Sequence, residues 1–225
     1  MTGAGRGLGA EVARQLAAEG CQVVAGVRDV EAGEAVHAST AGVAVRKLDV
    51  TDPHSVGALR AELGRLDILV NNAGVHYDLG QSLLSADLSV ASAAFETNAL
   101  GPWRISMAFA DLLKQSARGR IVNVSAGAGT LERLTGAAPG VRPRETPAYS
   151  VSKAALNALT LMLAEELRDD GVLVNAVNPG WRATGIGGPA GGPVEEGARW
   201  IVWAALLPDD GPTGRMLSDF REVAW

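Results

Sequence analysis

The sequence predicts an α/β protein whose core is a doubly wound parallel sheet, flanked by helices on both faces. The first observation is that short, continuous apolar runs alternate with helix-length segments, a pattern typical of buried parallel strands and their crossover helices. The second is a glycine-rich segment, residues 2–9, that directly precedes an amphipathic run over residues 11–19. Glycines allow close backbone approach, and a helix start attracts anions, so this segment predicts a phosphate-binding turn.

The elements follow from the same pattern in chain order. Right-handed crossovers are expected between the strands, and a ligand should lie beyond their carboxyl ends. The chain contains no domain boundary or internal repeat, which predicts a single domain over residues 1–225. The predicted strands are residues 22–27, 43–48, 67–70, 120–124 and 172–177, and the predicted helices lie near residues 7–19, 53–64, 87–116, 148–169 and 194–207.

Composition limits the classes of function. The chain has 225 residues, 47% of them hydrophobic, which suits one domain with a large core. Its net charge of −5 gives no reason to expect nucleic acid as a partner. No apolar run is long enough to span a membrane and no signal sequence is recognised, so we expect a cytoplasmic protein without a membrane partner. Cys21 alone cannot form an internal disulfide, and the scattered histidines predict no metal site.

Tyr149 and Lys153 are the candidate catalytic pair. They stand four residues apart in a predicted helix, so both side chains can lie on one face. A nearby lysine charge favours the phenolate and is expected to lower the tyrosine pKa from about 10 toward working pH. A tyrosine tuned in this way is a useful general acid or base. The pair alone is weak evidence, because two such residues on a helix are usually ordinary surface residues.

With the glycine loop at the other end of the chain, this pair resembles the classical short-chain dehydrogenase/reductases. The resemblance runs from residue 2 to about residue 218 and implies a Rossmann-type fold. Within the family, residues 27–29, 179–181 and 210–214 are most similar to the carbonyl-reductase branch. The matching segments, in the family's order, are residues 2–9, 48–50, 71–74, 97–101, Tyr149 with Lys153, residues 178–180 and Thr184.

The resemblance implies NADP(H) as the cofactor. Arg28 lies about twenty residues after the loop, where an arginine accommodates the NADP phosphate, and Arg6 adds a second cation. The alternative for Arg28 is a surface ion pair with Asp29 or Glu31. The cofactor-binding residues implied by the resemblance are Gly3, Gly5, Arg6, Gly7, Leu8, Gly9, Arg28, Asp49, Val50, Asn72, Ala73, Gly74, Tyr149, Lys153, Pro179, Gly180 and Thr184.

The resemblance also assigns the catalytic roles. Tyr149 donates a proton to the carbonyl oxygen, Lys153 lowers the tyrosine pKa and binds the nicotinamide ribose, and Asn98 holds a water that links Lys153 to solvent. In addition, a serine hydroxyl hydrogen-bonds the substrate oxygen, and a donor of this kind contributes about 3–4 kcal/mol.

The catalytic serine is where the chain departs from the family. The register places Ala126 at its position, whereas Ser125 comes one residue early and should point to the opposite face of the strand. A local bulge could re-aim Ser125, and Thr130 could also help. The substitution therefore predicts slow carbonyl reduction, restriction to activated substrates, or different chemistry.

The family's first strand also has no counterpart, because the glycine loop follows Met1 directly. Four or five buried apolar residues at about 1.5–3 kcal/mol each would match the typical stability of a whole domain, about 5–15 kcal/mol. Our expectation is that the true start of translation lies upstream, and that an internal valine codon has been taken as the initiator. The alternative is true loss of the strand, giving a pseudo-enzyme or a strand supplied by a partner.

Two loops are expected on the substrate side. The segment near residues 130–147 is longer than the family's compact form, and an insertion here disfavours the tetramer contact, which predicts a monomer. The glycine- and proline-rich segment at residues 181–193 is expected to form a mobile lid, with Trp181 facing the substrate.

Together these features predict an oxidoreductase that transfers hydride between NADP(H) and a small-molecule carbonyl or alcohol substrate, as a carbonyl reductase does. Ala126 leaves two alternatives open, a non-redox cyclase or isomerase and a non-catalytic NADP-binding regulatory protein. Neither the substrate nor the direction of the reaction follows from the sequence.

Overall fold

A computed structural model describes residues 1–136 and 146–225. Within them the helices are α1 (Gly7–Ala18), α2 (Val30–His37), α3 (Pro53–Glu62), α4 (Leu88–Phe95), α5 (Gly101–Gln115), α6 (Leu131–Leu134), α7 (Pro147–Glu166) and α8 (Val194–Ala205). The strands are β1 (Val23–Val27), β2 (Val43–Lys47), β3 (Ile68–Asn71), β4 (Arg120–Val124), β5 (Leu173–Val177), β6 (Met216–Ser218) and β7 (Arg221–Val223).

The strands form a parallel array, with β7 antiparallel to β6. Strands β3 to β7 are neighbours in that order, and β1 pairs with β2. Two residues lie between these groups: the Gly26 amide donates to Met1 O (2.8 Å), and the Thr2 amide donates to Val70 O (2.9 Å). The predicted doubly wound parallel sheet is therefore confirmed.

The core lies on both faces of the sheet, as the apolar runs predicted. Side chains alternate along a strand, so Val122 packs in one cluster with α1 and α8, while its neighbour Ile121 packs in the other with α3 and α5. Ile201 of α8 and Ile105 of α5 are almost fully buried on these opposite faces. Because helices pack on both faces of the sheet, the strand ends are held in fixed positions, and the candidate functional residues lie at these ends.

Four of these elements were missing from the sequence prediction: strands β6 and β7, helix α2 and the four-residue α6. Strands β6 and β7 have three residues each, too few to show a period. Helix α2 has eight residues, and its start depends on Asp29, whose carboxylate accepts the Ala32 amide (3.1 Å). These short elements depend on a cap or on sheet partners rather than on an apolar repeat.

The helix predicted near residues 87–116 is present over residues 88–115, but it is not a regular α-helix throughout. A π-helical turn, Glu96–Leu100, separates α4 from α5. Such a turn adds a residue to the helical repeat and is frequent at functional sites. Here it carries Asn98, whose side chain is fully buried.

The long substrate-side loop lies partly outside the described residues, since residues 137–145 are not among them. Its described start forms α6, capped by Thr130, whose hydroxyl accepts the Arg133 amide (3.4 Å). Among the helices of residues 1–136 and 146–225, none is long and apolar enough to cross a membrane.

Candidate active site

The glycine loop wraps closely over the end of β3. A Cβ at Gly3, where φ is +66°, would lie 2.8 Å from Ala73 Cα, and a Cβ at Gly9 would lie 2.2 Å from Gly3 O. Any larger residue at these positions would push the loop away from the strand. Helix α1 begins at Gly7, and Arg6, the residue before it, makes no capping hydrogen bond with its side chain. The first amides of α1 thus remain available to an anion.

Asn72 fastens this loop to β3. Its Nδ2 donates to Thr2 O and to Gly3 O, both at 3.0 Å. In return, the Thr2 hydroxyl accepts the backbone amides of Asn72 and Ala73, also at 3.0 Å. The segment after β3 therefore holds the predicted cofactor loop in place.

The two predicted phosphate-binding arginines are exposed and without a carboxylate partner. Within residues 1–136 and 146–225, neither Arg6 nor Arg28 forms an ion pair. The alternative pairing of Arg28 with Asp29 or Glu31 is not observed, because the Asp29 carboxylate caps α2. Both guanidinium groups are therefore available to a ligand phosphate.

Asp49 lies at the end of β2, near Arg28. Burial opposes ionisation of its carboxylate, but hydrogen bonds from Thr51 and the charges of Arg28 and Lys47 outweigh that effect and lower its pKa. The Thr51 hydroxyl and amide donate to Asp49 Oδ1 at 2.7 and 2.9 Å. This carboxylate is thus held in one orientation beside the cationic edge of the site.

The other predicted cofactor residues lie around the same strand ends. A Cβ at Gly5 would lie 3.4 Å from Val27 Cγ1, and one at Gly74 would lie 3.4 Å from Asn98 Oδ1. Leu8 is part of α1, and buried Val50 follows β2. Pro179 and Gly180 follow β5. The methyl group of Thr184 would lie 3.6 Å from a Cβ at Gly7. A free helix start, a glycine-lined cradle and two unpaired cations fit a dinucleotide phosphate cofactor.

Tyr149 and Lys153 both lie on α7, as predicted. Lys153 is buried, its Nζ donates to Val124 O (2.8 Å), and Nζ lies 5.8 Å from the Tyr149 ring centroid. Burial raises the pKa of Tyr149 to about 12 and lowers that of Lys153 to about 8. The expected lowering of the Tyr149 pKa is therefore not observed in the protein alone, because burial disfavours both charged forms.

The start of α7 is capped by a residue far away in the sequence. The Asp78 carboxylate, 1% exposed, accepts the backbone amides of Ala148 (2.6 Å) and Tyr149 (3.4 Å). Thr146, the residue directly before the helix, makes no capping hydrogen bond with its side chain. A carboxylate at this position complements the positive end of the helix. Asp78 therefore fixes the backbone of Tyr149.

Asn98 joins the π-helical turn to the segment after β3. Its Oδ1 accepts the Val75 amide (2.8 Å), and its Nδ2 donates to Val75 O and to Ser152 Oγ, both at 2.9 Å. The side chain therefore fixes this segment against α7. Its expected water link to Lys153 stays a prediction.

The serine and threonine hydroxyls considered above are committed elsewhere. Ser125 Oγ donates to Asn157 Oδ1 (2.5 Å), and Thr130 Oγ1 donates to Gly127 O (2.9 Å). Asn157 lies eight residues beyond Tyr149 on α7, or about 12 Å along the axis. The hydroxyl proton of Ser125 is thus engaged by α7, and the catalytic role of Ser125 stays a prediction. Ala126, partly buried, offers no donor.

Arg182 organises the segment predicted to be a lid, and no pattern in the sequence indicates this role. The Arg182 side chain is 8% exposed, and its Nε donates to Pro179 O (2.6 Å). Its Nη1 forms an ion pair with Glu196 Oε2 (2.7 Å), and its Cζ lies 4.5 Å from the centroid of the Trp200 ring. Neighbouring Trp181 is exposed, and its ring nitrogen donates to Gly187 O (2.5 Å). The lid segment is therefore anchored by Arg182, while Trp181 stands outside the core.

His76 is a second residue that sequence reasoning missed. Its ring lies 4.6 Å from the Tyr149 ring, centroid to centroid, and its Nε2 lies 3.8 Å from Asp78 Oδ1. A lone histidine carries no spacing signal, so only the fold could reveal the contact. In residues 1–136 and 146–225, no group of three or more His, Cys, Asp or Glu side chains could hold a metal ion.

Burial of Lys153 predicts a pH-dependent stability of the protein without cofactor. Its pKa falls from an ordinary 10.5 to about 8 in the fold, so between these values the unfolded chain binds the extra proton. The contribution of Lys153 to the free energy of unfolding is complete above pH 10.5 and is lost as the pH falls to about 8. Relative to Lys153→Met, the free energy of unfolding should rise by about 2 kcal/mol between pH 8 and roughly pH 9.5.

Urea unfolding of both proteins across this range measures the difference. Tyr149 is present in both, and the window ends below its ordinary pKa of 10.0, so its titration does not interfere. A difference that does not change with pH would show that Lys153 keeps its ordinary pKa.

Comparison with known proteins identifies the family. The family model for short chain dehydrogenase matches residues 1–191. The pig protein "Carbonyl reductase [NADPH] 1" is 32% identical over 275 aligned positions that cover 100% of this chain and 93% of that protein. The (+)-neomenthol dehydrogenase of Arabidopsis thaliana is 32% identical, covering 97% and 94%. The NADPH-bound carbonyl reductase from chicken fatty liver superposes with a TM-score of 0.86 at 28% identity, covering 100% and 97%. With the glycine loop, Asn98, Tyr149 and Lys153 placed at one edge of the sheet, this chain belongs to the short-chain dehydrogenase/reductase family of oxidoreductases.

Proposed function

We propose that this protein is an NADP(H)-dependent carbonyl reductase that interconverts a small-molecule carbonyl compound and its alcohol. The observation that carries the proposal is the pair formed by partly buried Tyr149 and buried Lys153, at the same sheet edge as the glycine cradle. Exposed Arg6 and Arg28 favour NADP(H) over NAD(H), and relatives named as NADPH carbonyl reductases support this choice.

The protein's residues have distinct tasks in this reaction. The cofactor residues placed above would hold NADP(H), which supplies the hydride. Tyr149, with a pKa of about 12, carries its proton at neutral pH and donates it to the carbonyl oxygen. Lys153, with a pKa of about 8, is mostly cationic at pH 7 and stabilises the phenolate that remains. Asn98 and Asp78 hold the backbone around this pair.

The test is consumption of NADPH by the purified protein against a panel of aldehydes, ketones and quinones. Turnover that follows the disappearance of a carbonyl substrate supports the proposal. NADPH that binds tightly but is not consumed with any substrate would contradict it. Location in the cytoplasm, a monomeric state and a single domain stay predictions.

A second candidate is a non-redox or regulatory NADP-binding protein. Ala126 favours it, because the committed hydroxyls of Ser125 and Thr130 leave no replacement on that side of the site. The retained Tyr149, Lys153 and Asn98 favour the reductase, since a regulatory protein has no need of a buried acid and its lysine.

Ala126→Ser distinguishes the candidates. A hydroxyl at this position adds a donor for the oxygen that becomes negatively charged, so kcat should rise by roughly a few-fold to tenfold. The measurement is steady-state NADPH oxidation with the best substrate of the panel. A matched control is Ala128→Ser, two residues along in the same loop, which should leave kcat unchanged. Unchanged or lower turnover in Ala126→Ser would show that no donor is missing.

A further inference from the structure

The segment after β3 places an unused imidazole against the proton donor. The His76 and Tyr149 rings lie 4.6 Å apart with planes inclined by 34°, and the His76 side chain is 13% exposed. Buried Nε2 of His76 has no hydrogen-bond partner within residues 1–136 and 146–225. Buried polar groups are rarely unpartnered, so this atom calls for an explanation.

The Asp78 carboxylate lies beside His76 without a hydrogen bond to it. The same carboxylate that accepts the first amides of α7 lies 3.8 Å from His76 Nε2. One edge of the imidazole therefore faces a buried negative charge, and the other nitrogen, Nδ1, stands on a different edge of the ring. An imidazole donates a hydrogen bond from a ring nitrogen that carries hydrogen.

Among residues 1–136 and 146–225, the two hydroxyls that flank Ala126 after β4 are already engaged. Ala126 has no hydroxyl, and the nearby hydroxyls of Ser125 and Thr130 donate to Asn157 Oδ1 and Gly127 O. A carbonyl oxygen that takes a proton from Tyr149 must lie within reach of that side chain. The His76 ring, in contact with Tyr149, is thus the polar group placed to approach the same oxygen from the β3 side.

We propose that His76, packed against Tyr149 beside Asp78, donates a hydrogen bond to the substrate's carbonyl oxygen and so replaces the hydroxyl that Ala126 lacks. The inference rests on the proposed reductase function. His76 stabilises the oxygen as negative charge develops on it, while Tyr149 supplies the proton. No further reactant is needed, because the imidazole only donates a hydrogen bond.

His76→Phe and His76→Gln separate this role from simple packing. Phenylalanine keeps an aromatic ring against Tyr149 but has no N–H, whereas glutamine keeps an N–H donor but loses the ring. We expect His76→Phe to lower kcat about 10²-fold, the usual effect of removing such a donor. His76→Gln should retain more activity than His76→Phe. NADPH affinity, measured by fluorescence titration, should match the wild type in both and shows that each variant folds.

Ala126→Ser in the His76→Phe background completes the test. If the two groups serve the same oxygen, the added hydroxyl should raise kcat far more in His76→Phe than in the wild type. Equal fold-changes in kcat in both backgrounds would overturn the inference. So would a wild-type kcat in His76→Phe, or a lower kcat in His76→Gln than in His76→Phe. If the wild type reduces carbonyl compounds and His76→Phe does so equally well, this inference is refuted but the proposed function is not. A wild type without any turnover refutes the proposed function, and the role of His76 falls with it.

Discussion

Replacement of Tyr149 by phenylalanine is expected to lower kcat for carbonyl reduction about 10²- to 10⁴-fold. The substitution removes only the hydroxyl, so the ring contact with His76 and the amide bonds to Asp78 remain. Because burial keeps the Tyr149 pKa near 12, the hydroxyl is protonated throughout the neutral range and is the acid of the reaction. NADPH affinity should change little. Steady-state kinetics and a binding titration measure both quantities.

Tyr77→Phe is the matched control for this substitution. The chain has two tyrosines, and Tyr77 lies two residues beyond Val75 with its side chain 57% exposed. Its loss should leave kcat within about twofold, as is usual for exposed positions. If Tyr149→Phe retained wild-type kcat, another group would be the proton donor, and the proposed mechanism would be wrong.

Replacement of Arg28 by alanine is expected to weaken NADPH binding about 10- to 100-fold and to leave NADH binding nearly unchanged. The difference between the two cofactors is one phosphate, and a hydrogen-bonded charge at such a group contributes about 1.5–3 kcal/mol. Arg28 is exposed, and its guanidinium pairs with no carboxylate of residues 1–136 or 146–225, so a ligand phosphate need not compete for it. Arg6→Ala should have an effect of the same sign.

Arg221→Ala controls for the change in net charge. Arg221 is exposed on β7, at the edge of the sheet away from the glycine loop, so its loss should not alter the affinity for either cofactor. Fluorescence titration of the wild type, Arg28→Ala and Arg221→Ala with NADPH and with NADH gives the dissociation constants that are needed. Tighter binding of NADH than of NADPH by the wild type would refute the assignment of Arg28.

The sequence was sufficient for the parts of the fold that have local signals. The five predicted strands are continuous apolar runs, and the structure shows all of them. Likewise, the glycine loop, Tyr149 and Lys153 were recognisable because their spacing lies within one turn or one loop. The position of Ser125 is a less simple case: its hydroxyl donates to Asn157 of α7, the helix that also carries Tyr149, and its catalytic role stays a prediction.

Contacts between distant segments could not be predicted in this way. Asp78 caps α7 across a separation of 70 residues, and no pattern around either segment indicates the contact. The same holds for His76 on Tyr149, and for Arg182, whose burial depends on Glu196 and on the lid's return toward α8. The π-helical turn at Asn98 was not predicted either, because the helical periodicity on both sides of it hides one added residue. The polar groups around the catalytic pair therefore became visible only in the fold.

The most direct test of the central claim is to follow the transferred atom. The purified protein is incubated with NADPH deuterated at C4 of the nicotinamide and with an aldehyde or ketone from the panel, and the alcohol is analysed by mass spectrometry, with Tyr149→Phe in parallel. The account predicts one deuterium on the former carbonyl carbon of the wild-type product, with far less product from Tyr149→Phe. Deuterated NADPH that binds but is recovered unchanged, with no labelled alcohol from any substrate, would contradict it.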